Sequence, residues 1–237
     1  MSHKEICMRL IAALAFAALS LPTVAVAQGP GMAAGLPLVV EMKKVEVGAW
    51  AEYTMAMGDM KLTSRWALVG RDAKSNTLEM STKGMPMAKP VVLRMVLAAD
   101  PTSGAKPPKP MVMQFGDDAP MFVPPDTPTQ SFQRPDEKNL VGKEEIKVAA
   151  GTFKTAHYRE KNAMGTVDVW VSESVPPLGL VKVITAPEVD KSAPSGMQVP
   201  AATMELAATG TGAKPAVTKK PKPFDPKKMN GLAGGGP

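Results

Sequence analysis

Thiols and imidazoles are nearly absent from this chain. One cysteine, Cys7, and two histidines, His3 and His157, stand in 237 residues. A Cys/His zinc site needs several N or S ligands, so that class is excluded. Cys7 precedes an apolar run, "LIAALAFAALSLPTVAV" (10–26), that ends in Ala25-Val26-Ala27. A short basic start, an apolar stretch and small residues at the end are the pattern of a secretory signal peptide, with cleavage before Gln28. The run is short for a bilayer core of about 30 Å and is broken by Pro22, which argues against a retained anchor. A lipid-attachment cysteine would follow the run, so Cys7 leaves with residues 1–27. The mature chain is then expected in the periplasm or secreted, with no thiol, no disulfide and no cysteine nucleophile.

Other absences narrow the function. The sequence has no phosphate-binding glycine loop, no dinucleotide fingerprint, no paired-carboxylate motif and no Gly-x-Ser-x-Gly turn. These point to a protein that is not an enzyme and needs no cofactor. Charge is also scarce where it would matter. The formal net charge is +6. Lys4, Glu5 and Arg9 contribute +1, and six lysines against Asp225 in residues 213–237 contribute +5, leaving residues 28–212 close to neutral. The basic balance therefore belongs to the end of the chain, not to a domain face, and nucleic acid is not an expected partner. The end itself, "AKPAVTKKPKPFDPKKMNGLAGGGP", is rich in Pro, Lys and Gly and poor in apolar residues. It reads as a disordered basic tail, suited to an anionic envelope polymer or membrane surface or to no partner at all.

What is present is period-two patterning. "VEVGAWAEYTMAM", "MKLTSRWALVG", "TLEMST", "PVVLRMVLA", "MVMQF", "LVGKEEIKV", "TFKTAHYRE", "TVDVWVS", "LGLVKVIT" and "ATMELAAT" alternate apolar and polar residues between turn signals. They predict about ten short antiparallel strands over residues 45–212, a mainly β domain. Residues 28–44 read as a linker or a short helix within "GLPLVVEMKK". Two loops interrupt the rhythm, at 100–110 and at 116–139, the second long, proline-rich and either a lid or a bridge.

His157 is the only histidine after residue 27, displayed on a strand beside Thr155 and Arg159. Asp168 and Ser172 lie on a nearby strand, but the motifs for triad chemistry are missing, and Asp168 and Trp170 read as cross-strand pairing partners.

The order of "VGAWAEY", "RWALVG", "AAGTFKTAHYRE", "VDVWVS" and "PPLGLVKV" resembles secreted bacterial domains similar to the outer-membrane lipoprotein carrier and receptor superfamily. That resemblance covers about residues 45–207. It implies a strongly curved antiparallel sheet, a half-barrel whose inner face takes an apolar small molecule or lipid. Methionine fits such a lining. The chain has 18, several at i, i+2 spacing, and thioether side chains adapt to varied apolar partners. The residues expected to line the concavity are Tyr53, Met55, Met57, Leu62, Trp66, Met80, Leu93, Met95, Met111 and Met113. Two alternatives stay open. One is that methionine replaces leucine in an ordinary core; the other is that "MAMGDM" and "MPM" bind copper through thioethers.

Overall fold

The alternating segments pair in chain order, and the computed structural model describes residues 35–84, 89–105, 109–124, 127, 131–162, 165–187 and 201–224. Its strands are β1 (Leu36–Pro37), β2 (Trp50–Met57), β3 (Met60–Arg71), β4 (Ser75–Lys83), β5 (Val91–Ala98), β6 (Val112–Phe115), β7 (Met121–Phe122), β8 (Phe132–Gln133), β9 (Leu140–Val148), β10 (Gly151–Asn162), β11 (Gly165–Val171), β12 (Leu180–Pro187) and β13 (Ala202–Gly210). All ten predicted strands are among them. The main sheet has eleven strands in the order β7-β6-β5-β4-β3-β2-β13-β12-β11-β10-β9, every pair antiparallel. Its two edges, β7 and β9, do not pair with each other, so the curved sheet stays open as a half-barrel rather than closing. Register shifts at Leu68/Gly70, Leu206/Ala208, Trp170/Val171 and His157/Tyr158 add the local bends that such curvature needs.

One face of the sheet carries the core. Tyr53 stands across from Leu206, Trp66 from Met80, Leu78 from Met95 and Leu93 from Met113. Over this face lie the N-terminal segment and the far end of the long loop, joined by the parallel pair β1–β8. Leu36, Leu38, Met42 and Phe132 all belong to the buried cluster. Phe132 meets Trp66 edge-on, with ring centroids 6.4 Å apart. The loop 116–139 is therefore neither a free lid nor a plain bridge, since its end supplies part of the covering layer.

The short helix considered for residues 36–44 is corrected to a two-residue strand and a single 3-10 turn, Met42–Lys44. Pro37 and the β-branched Val39 and Val40 oppose a helix, while Leu36 and Leu38, two apart, both reach the core. Arg71 fastens the turn. Its guanidinium donates to the carbonyls of Met42, Lys43 and Val45, and its Nε donates to Asn76 Oδ1 at 3.0 Å. Gly179 shows how closely this segment packs. Its φ is +82°, and a Cβ there would fall 2.2 Å from Val39 Cγ2.

The disordered tail expected from Ala213 is corrected over residues 213–224; residues 225–237 lie outside the described residues. The chain leaves β13 and follows one cross-strand row on the face opposite the core. That row reads Gly210, Trp50, Ala67, Glu79, Arg94, Val112, Phe122. Trp50 Nε1 donates to Thr211 O at 3.2 Å. Glu79 accepts from the amides of Ala216 at 2.7 Å and Val217 at 3.2 Å. Arg94 bonds Glu79 Oε1 through Nε and Nη2 and also donates to Val217 O. Lys219 Nζ donates to Asp117 O, and Lys222 exchanges backbone hydrogen bonds with Pro120 and Phe122 beside β7. Spanning β2 to β7 takes five inter-strand steps, about 24 Å, and an extended strap from Thr211 to Lys222 reaches about 34 Å at polyproline rise. Its proline content suits that conformation. Val217 is 2% exposed, and Ala67, Val96 and Val112 on the same face are buried with it.

Tyr53 gives a pH test of the core. It is fully buried, its hydroxyl donates to Leu180 O at 3.1 Å, and burial holds its ionisation far above the ordinary tyrosine range. Above about pH 10 the unfolded chain loses this proton while the folded chain keeps it. Unfolding stability should then fall by about 1.4 kcal/mol per pH unit from this residue. Of the two tyrosines, Tyr158 should ionise gradually in a 295 nm absorbance titration. Tyr53 should ionise only together with loss of the near-ultraviolet circular dichroism signal. Gradual ionisation of both in the folded state would contradict its burial.

Candidate functional site

Ten residues were expected to line an open concavity, and the structure divides them. Tyr53, Leu62, Trp66, Leu93, Met95, Met111 and Met113 are buried. All but Leu62 belong to the cluster under the N-terminal layer, so these side chains are core rather than an exposed lining. Met55, Met57 and Met80 are half-buried. Chain registration explains this outcome: the face was assigned correctly, but β1, β8 and the Met42 turn occupy it. Of the copper candidates, Met55, Met57 and Met60 stand at the tip of the β2–β3 hairpin, while Met85 and Met87 lie outside the described residues.

His157 and its neighbours form a network across the strands. Arg159 stands across from Asp168 and His157 across from Trp170, which realises the cross-strand pairing expected of Asp168 and Trp170. The imidazole stacks on the indole at 4.2 Å with a 14° interplanar angle. Its Nε2 lies 2.6 Å from Asp168 Oδ1 and its Nδ1 3.3 Å from Glu144 Oε1. Trp170 Nε1 donates to the same Glu144 oxygen at 2.7 Å, and Arg159 Nε donates to Asp168 Oδ1 at 2.8 Å. Lys182 stands 5.9 Å from the Trp170 ring centre and pairs with Glu205. Both ring nitrogens of His157 are engaged with carboxylates, and the residue is 8% exposed. Ser172 turns elsewhere, to Ser174 Oγ at 2.9 Å. The geometry suits a cross-strand clamp for β9, β10 and β11, with no nucleophile among the described residues placed against the imidazole.

A recess lies at the other side of this same hairpin. It has a volume of about 670 Å³ and is bounded by β9, β10, Val39 and the turn Val171–Glu173. Val39, Leu140, Ala156, Tyr158 and Val171 supply apolar surface. Lys143 and Lys154 border it together with Glu137, Glu145 and Glu173, while Glu144 at its rim is held by His157 and Trp170. Tyr158 donates to Glu137 Oε1 at 3.2 Å, and burial, followed by that carboxylate, raises its ionisation above the ordinary tyrosine range. None of the ten expected lining residues borders this recess. A smaller one, about 160 Å³, lies beside Leu38, Met42 and Asp100.

Sequence reasoning missed the recess because its walls come from segments far apart in the chain, Val39 and the β9–β10 hairpin. The available signal was local. Ala156 and Tyr158 put apolar surface on an edge hairpin, and Leu140 and Val141 are among its exposed apolar residues. Among the described residues no helix is long and apolar enough to cross a membrane, and no three His, Cys, Asp or Glu side chains are grouped to hold a metal ion. No family model and no curated protein matches this chain.

Proposed function

We propose that this chain is an exported, non-catalytic envelope protein that holds an amphipathic molecule in the recess between β9, β10 and Val39. The observation that carries the reading is the recess itself. Its volume, about 670 Å³, lies within the range of small-ligand sites, roughly 300–1,000 Å³. The carrier-like half-barrel sheet agrees with such a role, and the open end of the sheet replaces the filled inner face as the place of binding. The lining selects a head group. Three carboxylates, Glu137, Glu145 and Glu173, outnumber the ammonium groups of Lys143 and Lys154, so a zwitterionic or cationic amphiphile is favoured over an anionic one, and its acyl part lies against Leu140, Ala156, Tyr158 and Val171. Each buried CH₂ contributes about 0.8 kcal/mol.

Calorimetry with a monoacyl phosphatidylcholine, below its micelle concentration, tests this. The expected result is saturable one-to-one binding, weaker by tenfold or more for a fatty acid of equal chain length. Ala156→Trp, which fills the recess, should abolish it without lowering the melting temperature substantially. Absence of binding by the wild-type protein, or full binding by Ala156→Trp, would defeat the proposal.

A second attachment is favoured by charge. Lys219 and Lys222 are held beside the β7 edge by the strap. In this reading they direct the remaining lysines toward an anionic envelope polymer or membrane surface. Salt-dependent retention on such a polymer, lost on deletion of residues 225–237, is the matching test.

A further inference from the structure

The methionines separate by exposure. Met42, Met95, Met111, Met113 and Met121 are buried, whereas Met55, Met57 and Met60 are half-buried at the tip of the β2–β3 hairpin. Register brings these three together with a fourth. Met57 stands directly across from Met60. Met204 of β13, itself buried, stands directly across from Met55. Directly opposed residues share a face, with Cβ atoms about 4.5–5.5 Å apart, and residues two apart on one strand share it as well. Four thioethers from the adjacent strands β13, β2 and β3 therefore occupy one patch. Met204 is 149 positions from Met55 in the chain, so the grouping arises only on folding.

The neighbours of the patch are apolar. Leu62 stands across from Met55, Ala202 across from Met57 and Val183 across from Met204. Thioether sulfur is neutral, soft and polarisable, and it favours Cu(I) among biological metals. Half-exposure gives an ion a route to the sulfurs that the buried methionines lack.

We propose that Met55, Met57 and Met60 bind one Cu(I) ion, with the buried Met204 forming the apolar wall behind them. The site is separate from the amphiphile recess, which none of the four residues borders. Binding involves no change in copper oxidation state and no proton release, because thioethers carry no titrating proton. Affinity should therefore vary little with pH between 6 and 8, unlike a thiolate or imidazole site.

The experiment is competition for Cu(I) against bicinchoninate under anaerobic, reducing conditions. The wild-type protein should withdraw one equivalent of copper. Met57→Leu and Met60→Leu, which keep apolar volume, should each weaken binding tenfold or more, and the double substitution should abolish it. Met111→Leu, in the core, should match wild type. Melting temperatures of all variants separate loss of ligation from loss of folding. A wild-type protein that leaves the chelator complex intact, or a double variant that binds as wild type does, would overturn the assignment.

Discussion

Replacing Glu79 with alanine should destabilise the protein by about 3–5 kcal/mol, the cost of leaving one member of a buried ion pair alone. For a chain of this size that lowers the melting temperature by roughly 10 °C or more. Glu79 is 4% exposed and holds three groups at once: the Arg94 guanidinium and the amides of Ala216 and Val217. Its loss strands Arg94 and releases the strap. The double variant Glu79→Leu/Arg94→Met removes both charges and should recover most of the lost stability, since an apolar pair of similar volume often matches a buried ion pair. Recovery would remain incomplete by the two lost amide bonds. If the double variant is as unstable as the single one, the pair is not the organising feature of the strap. Released strap has a second consequence. Phe122 N loses its bond to Lys222 O, and β7 becomes an open sheet edge, so the single variant should also associate with itself at high concentration.

Trp66→Ala should be comparably costly, about 3–5 kcal/mol, as for other large-to-small core changes. Trp66 is 5% exposed and is the sheet residue against which Phe132 of the covering layer packs edge-on. Removing it leaves a cavity beneath that layer. The effect of Trp66→Ala should be partly shared with Phe132→Ala, with a coupling of about 0.5–1.5 kcal/mol for the aromatic pair. Denaturant unfolding of the two single variants and the double variant checks this. Strict additivity would mean that the loop end does not rest on Trp66. Because the alanine variant opens the core face, it should also bind an apolar fluorescent dye at a site additional to any that the wild-type protein offers.

Much of the sheet was legible because its physics is local. Alternation in β2, β3 and β4 names the inward residues directly, and Gly58-Asp59 and Ala149-Ala150-Gly151 mark hairpin turns. The layers over the sheet were not legible, because they depend on contacts between distant segments. Leu36 and Phe132 pair across 96 positions, and nothing in "GLPLVV" or "QSFQRP" announces the other. The strap was hidden in a different way. Its proline and lysine content is that of unfolded chains, and its stability comes from Glu79 and Arg94 on the sheet rather than from its own residues. A trace of it was nonetheless present in "VVLRMVLA" and "MVMQF". Those strands are apolar on both faces, a pattern of strands covered on both sides. Val96 and Val112 are the residues that the strap face buries. The recess needs Val39 beside Tyr158 and Val171, a juxtaposition that no local pattern encodes.

The central claim is that the sheet's core face is filled and that ligand binds instead at the β9–β10 end. A zwitterionic lysolipid carrying a diazirine in its acyl chain, photolysed with the purified protein and mapped by tandem mass spectrometry, addresses it directly. Adducts should fall on Leu140, Ala156, Tyr158 and Val171. Adducts concentrated on Trp66, Leu93, Met95 and Met113 would show an open inner face and contradict the account.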